Sequence, residues 1–453
     1  MSTLLERMKA DARAKQLPGK PWAAQYFPLV KHKYEQTELY AFLKAMPKGA
    51  ILHIHPIAMG DCRRLVHKIT GRPDTYVNRG KEHYGYLAIF ANNPGKPWTN
   101  IMEERGQAVD KKSYDENLLS LITLDASDKR LPDIWEEFGK IFSRVFGLFR
   151  EEGFWEDYLF SSLKSYVEND NIQHMELRSH KPDQNTFRMY RRILKRLHKD
   201  GTDISLRIIY SDSRERYPGE TYNQFQKRIL DSLYTAADLM EANPDLLVGV
   251  DVYAEEDKGA PASFMAPLMI QAQDYSRKKY GRDLPLFLHD GESNLPVRRY
   301  HDEKDFAQPF PRKYNNNVID AYLLDSQRVG HGISLWKIPE LSIKYRDKGM
   351  ALEICPVSNQ MLGFVPDLRN HPAVSLMNNG VRISLNPDDP AVFGYEGVTF
   401  DYVVACLAWD LSLADLKSLA LDSLEDSALG KNEKRKSIEK WKDSWRVFIA
   451  RFK

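Results

Sequence analysis

The chain has few cysteines, no long apolar run and no excess of charge of either sign, and each absence excludes something. Its three cysteines, Cys62, Cys355 and Cys406, stand far apart in 453 residues. Neither a disulfide framework nor a Cys-x-x-Cys zinc site can be built from them, and they read as reduced structural thiols. No apolar run approaches the roughly 20 residues that a membrane-spanning helix needs. Glu6 and Asp11 near the start, with no apolar segment beside them, are not the pattern of a secretory signal, so a cytoplasmic location is expected. With 65 Lys and Arg against 63 Asp and Glu, the formal charge is +2, which offers no basis for nucleic acid or a membrane surface as partner. A Gly-rich phosphate-binding turn after a strand, the mark of a doubly wound nucleotide-binding sheet, is also missing.

What is present is enough apolar material for a large core, with 42% hydrophobic and 11% aromatic residues. Residues 1–46 read as an N-terminal helical arm: a helix ending before Leu17-Pro18-Gly19, an irregular stretch with Pro21 and Trp22, and a helix from Thr37 to Ala45. Residues 47–453 read as one barrel. Its first strand is Ala50–His55. Seven further strand-like runs follow at Ile172–Leu177, Ser205–Tyr210, Leu247–Val252, Leu286–His289, Arg328–Gly330, Ala351–Ile354 and Arg382–Leu385, with helical periodicity between most of them. Eight strands alternating with helices predict an α/β fold of the (β/α)₈ TIM-barrel type, with chemistry at the C-terminal ends of the strands. Residues 61–131 mix turn residues with aromatics and read as an insertion after the first strand, either a lid or a docking surface. The C-terminal stripe Ile438, Trp441, Trp445, Phe448, Ile449 and Phe452 either packs on the barrel exterior or serves as a contact between two copies of the chain.

The strand ends carry the chemistry. His53 and His55 alternate with apolar residues, so both imidazoles point to one side of a strand, and neutral imidazole is the commonest protein ligand for zinc. A lone His-x-His is more often core or loop. Here, however, other strands end in His289-Asp290-Gly291-Glu292, in Gly330-His331-Gly332 and in Asn386-Pro387-Asp388-Asp389-Pro390. Each taken alone has a plain reading as a cap or loop; together on one rim they make a site. His53, His55, His289 and Asp388 form a nitrogen-rich, singly anionic set suited to Zn²⁺ with a position left for water, whose pKa such an ion lowers towards about 7. Glu292, three residues past a ligand, is placed to shuttle protons. His331 can hydrogen-bond the attacking oxygen, and Asp389 can orient it. No lysine at a strand end suits a carbamylated bridge, so one ion is favoured over two. The Pro-Cys-x-x-Cys segment of cytidine-type zinc sites has no counterpart, since Cys355-Pro356 runs in the reverse order.

Met46-Pro47-Lys48-Gly49-Ala50-Ile51-Leu52-His53-Ile54-His55, Met175-Glu176-Leu177-Arg178, Tyr210-Ser211-Asp212-Ser213-Arg214, His289-Asp290-Gly291-Glu292, Arg328-Val329-Gly330-His331-Gly332, Glu353-Ile354-Cys355-Pro356-Val357-Ser358-Asn359-Gln360 and Asp388-Asp389-Pro390-Ala391-Val392-Phe393-Gly394 resemble the adenosine deaminase superfamily, and most nearly its adenosine-deaminase-related growth factor branch. The resemblance implies a zinc-dependent purine deaminase. It puts the metal ligands on His53, His55, His289 and Asp388, the proton-shuttling glutamate on Glu292, the water-orienting histidine on His331 and a purine-contacting aspartate on Asp389. Substrate contacts are expected from Asp389, Glu292, Ala254 and Glu176.

The departures concern the substrate. Pro56 stands where the branch has Asp, Asp290 where the family has Ala, and Ala254-Glu255 where the branch has Gly-His. The branch's secretion signal and the cysteine pair of its inserted domain are also missing. The leading expectation is deamination of adenosine or 2′-deoxyadenosine. A second is the same chemistry on an N6-substituted adenine, a nucleotide or another amino-purine. A third is a non-catalytic purine-binding or signalling protein.

Overall fold

The apolar runs read from the sequence do form strands, and their order closes a ring. The structure, a computed structural model, describes residues 1–80, 86–125, 127–128, 133–297 and 314–452. In chain order the strands are β1 (Gly49–Ile54), β2 (Thr75–Asn78), β3 (Leu87–Ile89), β4 (Trp98–Asn100), β5 (Ile172–His180), β6 (Ser205–Ser213), β7 (Leu247–Tyr253), β8 (His289–Asp290), β9 (Arg328–His331), β10 (Ala351–Ile354) and β11 (Ile383–Leu385). Two four-stranded sheets, β1-β5-β6-β7 and β8-β9-β10-β11, are parallel throughout. Bridges from Val250 to Leu286 and from Ile54 to Asp388 join their edges. The first seam is held by Val250 N–H donating to the Pro285 carbonyl at 2.9 Å and Phe287 N–H to Val250 at 2.8 Å. The second is held by His55 N–H donating to the Asp388 carbonyl at 3.2 Å. The result is the expected (β/α)₈ barrel, its two sheets joined edge to edge into a ring.

Helices cover the strands outside. The helix Gln184–Lys199 shows the local logic: Asp183 caps it in a reciprocal capping box, and Phe187, Tyr190, Ile193 and Leu197 recur along its buried face. The N-terminal arm contains a helix that the sequence pattern did not reveal, Phe27–Glu35. Phe27 packs edge-on against Tyr395 and Phe400, so tertiary contact stabilises a segment with a weak periodic signal. The C-terminal stripe is internal. Trp441, Trp445 and Phe448 are buried, and the Phe448 and Phe452 rings sit against Phe42. This apolar face is therefore already covered and unavailable to a second copy of the chain.

The 61–131 segment is more regular than its sequence suggests, although 81–85, 126 and 129–131 lie outside the described residues. Helix Cys62–Thr70, capped by Asp61, is followed by a small antiparallel sheet in the order β3-β2-β4 and by helices Ile101–Gln107 and Lys111–Leu121. Strands of three or four residues are too short to show a period, so only the packed Tyr76, Phe90 and Trp98 rings betray them. Among the described residues no helix is long and apolar enough to cross a membrane. All three cysteines are unpaired and buried.

Candidate metal centre and proton-transfer groups

The C-terminal rim of the barrel brings together His53 and His55 from the end of β1, His289 from β8, and Asp388 just after β11. One ligand atom from each lies within 4.8 Å of the others. Asp388 Oδ1 stands 3.2 Å from His53 Nε2 and 3.3 Å from His55 Nε2. The His53 and His289 ring centroids are 4.4 Å apart. Gly330 makes room for this crowding, since a Cβ there would lie 2.9 Å from the His53 ring. Asp388 and His331 both adopt left-handed backbone, with φ of 61° and 58°, so their side chains leave the strand direction and turn to the site.

Two buried carboxylates decide which nitrogens are free. Glu353 Oε2 accepts from His53 Nδ1 at 3.0 Å, and Asp251 Oδ2 accepts from His289 Nδ1 at 2.6 Å. Burial alone would raise both acids, but the Arg178 guanidinium, the histidines and, for Glu353, Arg328 hold them far below the usual carboxylate range. Each is therefore an acceptor. His53 and His289 must carry their hydrogens on Nδ1 and present bare Nε2 lone pairs. Burial also keeps His289 neutral, drawing its pKa to about 3.

His53 Nε2 and Asp388 Oδ1 are buried with no hydrogen-bond partner among the described residues. A lone pair and a carboxylate oxygen facing one another at 3.2 Å repel unless a cation lies between them, so this donor set fits a divalent ion. The remaining oxygen of Asp388 accepts from Ser358 Oγ at 2.8 Å. A further set sharing His53 and Asp388 adds His331 and Cys355. Burial holds the Cys355 thiol protonated, which makes it a poor ligand. The outer carboxylates yield a prediction: Asp251→Asn will weaken the site's affinity for an added divalent ion about 10–100-fold by releasing the His289 tautomer, as measured by competition with a chromogenic chelator. Unchanged affinity would remove the argument from tautomers.

Beside the ligands stand three further groups. Glu292 is buried and its carboxyl is held well above the usual range, first by burial and then by the nearby Asp388 and Glu256 charges. Its Oε1 accepts from Asn359 Nδ2 at 2.8 Å. Its backbone is clamped by Glu256, which accepts from Gly291 N–H at 2.8 Å and Glu292 N–H at 2.7 Å. His331 Nε2 lies 3.9 Å from Asp388 Oδ2, and burial holds this imidazole neutral. Asp389 is buried beside Asp388, and burial together with that neighbouring charge raises its carboxyl well above the usual range.

Two expected substrate contacts need separate statements. Glu176 is not brought to the rim. It lies lower in the barrel, where its carboxylate takes Arg328, the His174 ring at 3.1 Å and the Ala428 N–H, so its role is to neutralise buried arginine. The physical reason is height, since Glu176 is four residues short of the β5 terminus at His180. Ala254 follows β7 with φ 95°, a backbone glycine adopts freely and a residue with Cβ adopts at about 1–3 kcal/mol. The glycine-like backbone that the resemblance expects is thus retained under a larger side chain. Of the other departures, Asp290 faces Arg214 in a buried ion pair at 3.1 Å, and Glu255 pairs with Lys258 at 3.1 Å. Pro56 opens a short 3₁₀ turn, Pro56–Ala58.

Glu353, Asp251, Glu256, Ser358 and Asn359 had no assigned role from sequence alone. A signal was available for Glu353 and Asp251, as acids embedded in apolar strands. None was available for Glu256, whose partners are 35 and 36 residues away.

Fold and site together define a (β/α)₈ barrel with a candidate metal centre at its C-terminal rim. A solved amidohydrolase from Burkhoderia ambifaria with bound Zn is similar at a TM-score of 0.58 and 18% identity, covering 91% of this chain and 94% of that one. The N6-methyl-AMP deaminase from Arabidopsis thaliana is similar at 0.59 and 15%, covering 89% and 98%. The family model for adenosine deaminase matches residues 315–444. Adenosine deaminase 2 of Homo sapiens is 29% identical over 457 residues, which are 94% of this chain and 83% of that protein. Over most of its length the chain is thus similar to adenosine deaminases, in line with the resemblance its motifs carry.

Proposed function

We propose that the protein is a zinc-dependent aminohydrolase that converts adenosine or 2′-deoxyadenosine to inosine or 2′-deoxyinosine with release of ammonia. The observation that carries the metal is the bare His53 Nε2 facing Asp388 Oδ1 at 3.2 Å; His53, His55, His289 and Asp388 would hold one Zn²⁺. When bound, that ion supplies Lewis acidity, lowering the pKa of water towards about 7. The chain's own residues do the rest. Glu292, protonated by its buried surroundings, donates its proton to a ring nitrogen of the purine and makes the ring carbon electrophilic; the resulting carboxylate takes a proton from the incoming water and passes it to the departing amine, and regains its own from the new hydroxyl as the C–N bond breaks and the carbonyl forms. His331 hydrogen-bonds the incoming oxygen and favours its approach from one side. Asp389, whose Oδ1 has no partner among the described residues, accepts or donates to the purine edge.

The shares of identity with proteins called adenosine deaminase support adenosine. Ala254 and Pro56 favour a second reading, because they alter the surroundings of the base and sugar: the same chemistry on an N6-substituted adenine, a nucleotide or another amino-purine. Loss of one buried hydrogen-bonding group can shift specificity by orders of magnitude. Purified zinc-loaded protein given adenosine should lose adenine absorbance with equimolar ammonia appearing. Turnover only of N6-methyladenosine or AMP in a parallel panel selects the second reading. No turnover of any member, with purine binding by calorimetry, would leave a non-catalytic purine binder. We place the protein in the cytoplasm on its unpaired, buried cysteines, and take residues 1–46 as an arm upon a barrel that spans 47–453.

A further inference from the structure

Asn359 and His371 lie behind the proton-transfer groups, on elements that contribute no metal ligand. Asn359 is on the short helix Pro356–Met361, and His371 is the N-cap of helix Pro372–Asn378. Both are buried, at 0% and 2% exposure. The hydrogens in this group can be assigned from one unambiguous donor. The backbone N–H of Ala373 donates to His371 Nδ1 at 3.1 Å, so Nδ1 carries no hydrogen. Burial holds this ring neutral, with its pKa drawn down to about 3, so its one hydrogen is on Nε2. That nitrogen is 3.1 Å from Asn359 Oδ1 and donates to it.

The orientation of the Asn359 amide follows. With its oxygen committed to His371, its NH₂ group faces the site, where Nδ2 stands 2.8 Å from Glu292 Oε1 and 3.3 Å from His331 Nδ1. An amide nitrogen has two hydrogens to give, and two acceptors stand in reach. His331 Nδ1 and Glu292 Oε1 stand 3.3 Å apart with the amide nitrogen within reach of both, and one amide hydrogen directed at each makes both of them acceptors. With Nδ1 accepting, the His331 ring carries its hydrogen on Nε2, the nitrogen on the side of Asp388. Glu292 Oε1 is likewise occupied, which leaves Oε2 as its oxygen for proton exchange.

We propose that Asn359, locked by His371, is a positioning residue that decides which atoms of Glu292 and His331 take part in proton transfer: Oε2 of the acid and the hydrogen-bearing Nε2 of the imidazole. This rests on the deaminase reading. The lock sets the tautomer without touching the substrate, in the way that an outer carboxylate sets the tautomer of a ligand histidine. It also makes the Asn-His pair specific. Asn359→Leu removes all three side-chain hydrogen bonds and keeps the branched shape. His371→Phe leaves the amide free to turn its oxygen towards Glu292.

Two measurements test it on the full-length, zinc-loaded protein. The first needs no turnover: long-range proton–nitrogen NMR with ¹⁵N-labelled histidine, assigned through single His→Gln variants. The expected result is hydrogen on Nε2 for both His371 and His331, with His331 losing that preference in Asn359→Leu. Hydrogen on Nδ1 of either ring in the unaltered protein overturns the proposal. The second is kinetic. Asn359→Leu and His371→Phe should lower kcat about 10–100-fold with KM and bound zinc little changed. His371→Gln, which can still donate an N–H to Asn359, should retain more activity than His371→Phe. A fall in zinc content matching the fall in kcat, or equal losses for Gln and Phe, also overturns it. A protein that turns over no amino-purine defeats the deaminase reading, and the NMR result still decides the lock.

Discussion

His53→Ala is expected to leave the protein folded, free of metal and inactive. His53 provides a bare Nε2 at the point where the His55 and Asp388 ligand atoms converge, and it is tied to the buried charge cluster through Glu353. Its removal takes out one of four donors and, among the described residues, leaves Asp388 Oδ1 with only His55 Nε2 beside it, at 3.3 Å. Turnover should fall on the order of 10⁴-fold or more, because without the ion the pKa of water returns from about 7 to 15.7. The measurement is elemental analysis beside the ammonia assay. The unaltered protein should carry close to one zinc per chain and the variant almost none, with unchanged circular dichroism. Full zinc occupancy in His53→Ala would mean that the ion, if present, is held elsewhere. Chelation with dipicolinate should reproduce the loss in the unaltered protein, and added zinc should reverse it.

Glu292→Gln should lower kcat about 10²–10⁴-fold, the usual range for a positioned general acid–base group, while zinc content and KM stay near those of the unaltered protein. The substitution preserves size and keeps an acceptor for Asn359 Nδ2, now 2.8 Å from Oε1. It also preserves the backbone N–H that Glu256 accepts at 2.7 Å. What it removes is the transferable proton. Undiminished kcat for the Glu292→Gln variant on the best substrate would move the proton-transfer role to another group. Asp389→Asn is the informative companion, since a loss expressed mainly in KM would mark Asp389 as a contact to the base rather than a participant in transfer.

Most of the barrel was legible because apolar runs separated by helical periodicity survive in the sequence, from Ile172 in β5 to Ile354 in β10. Boundaries shifted where polar residues extend a strand. Ser211, Asp212 and Ser213 lengthen β6, since parallel pairing to β7 satisfies their backbones regardless of side chain. The small sheet and the helix Phe27–Glu35 were not legible. The first is too short to carry a period, and the second depends on contact with Tyr395 and Phe400 far along the chain. The Met175-Glu176-Leu177-Arg178 motif misled in a specific way. Alternation puts Glu176 and Arg178 on the same side of β5, but two residues separate them by about 6.6 Å in height. Only the upper one, through Asp251 and Glu353, touches the partners of the ligand histidines.

Sequence alone determined which residue types could meet at the rim: the His-x-His pair, because side-chain direction alternates along a strand, and His289, His331 and Asp388, because a parallel barrel presents all its strand ends on one face. It also carried the resemblance to the adenosine deaminase superfamily, through motifs that keep their order along the chain. Only the tertiary structure decided which nitrogen of each histidine is bare and which carboxylates stay charged. Those properties depend on hydrogen bonds between residues up to 300 positions apart and on removal from water, and neither is written in local spacing.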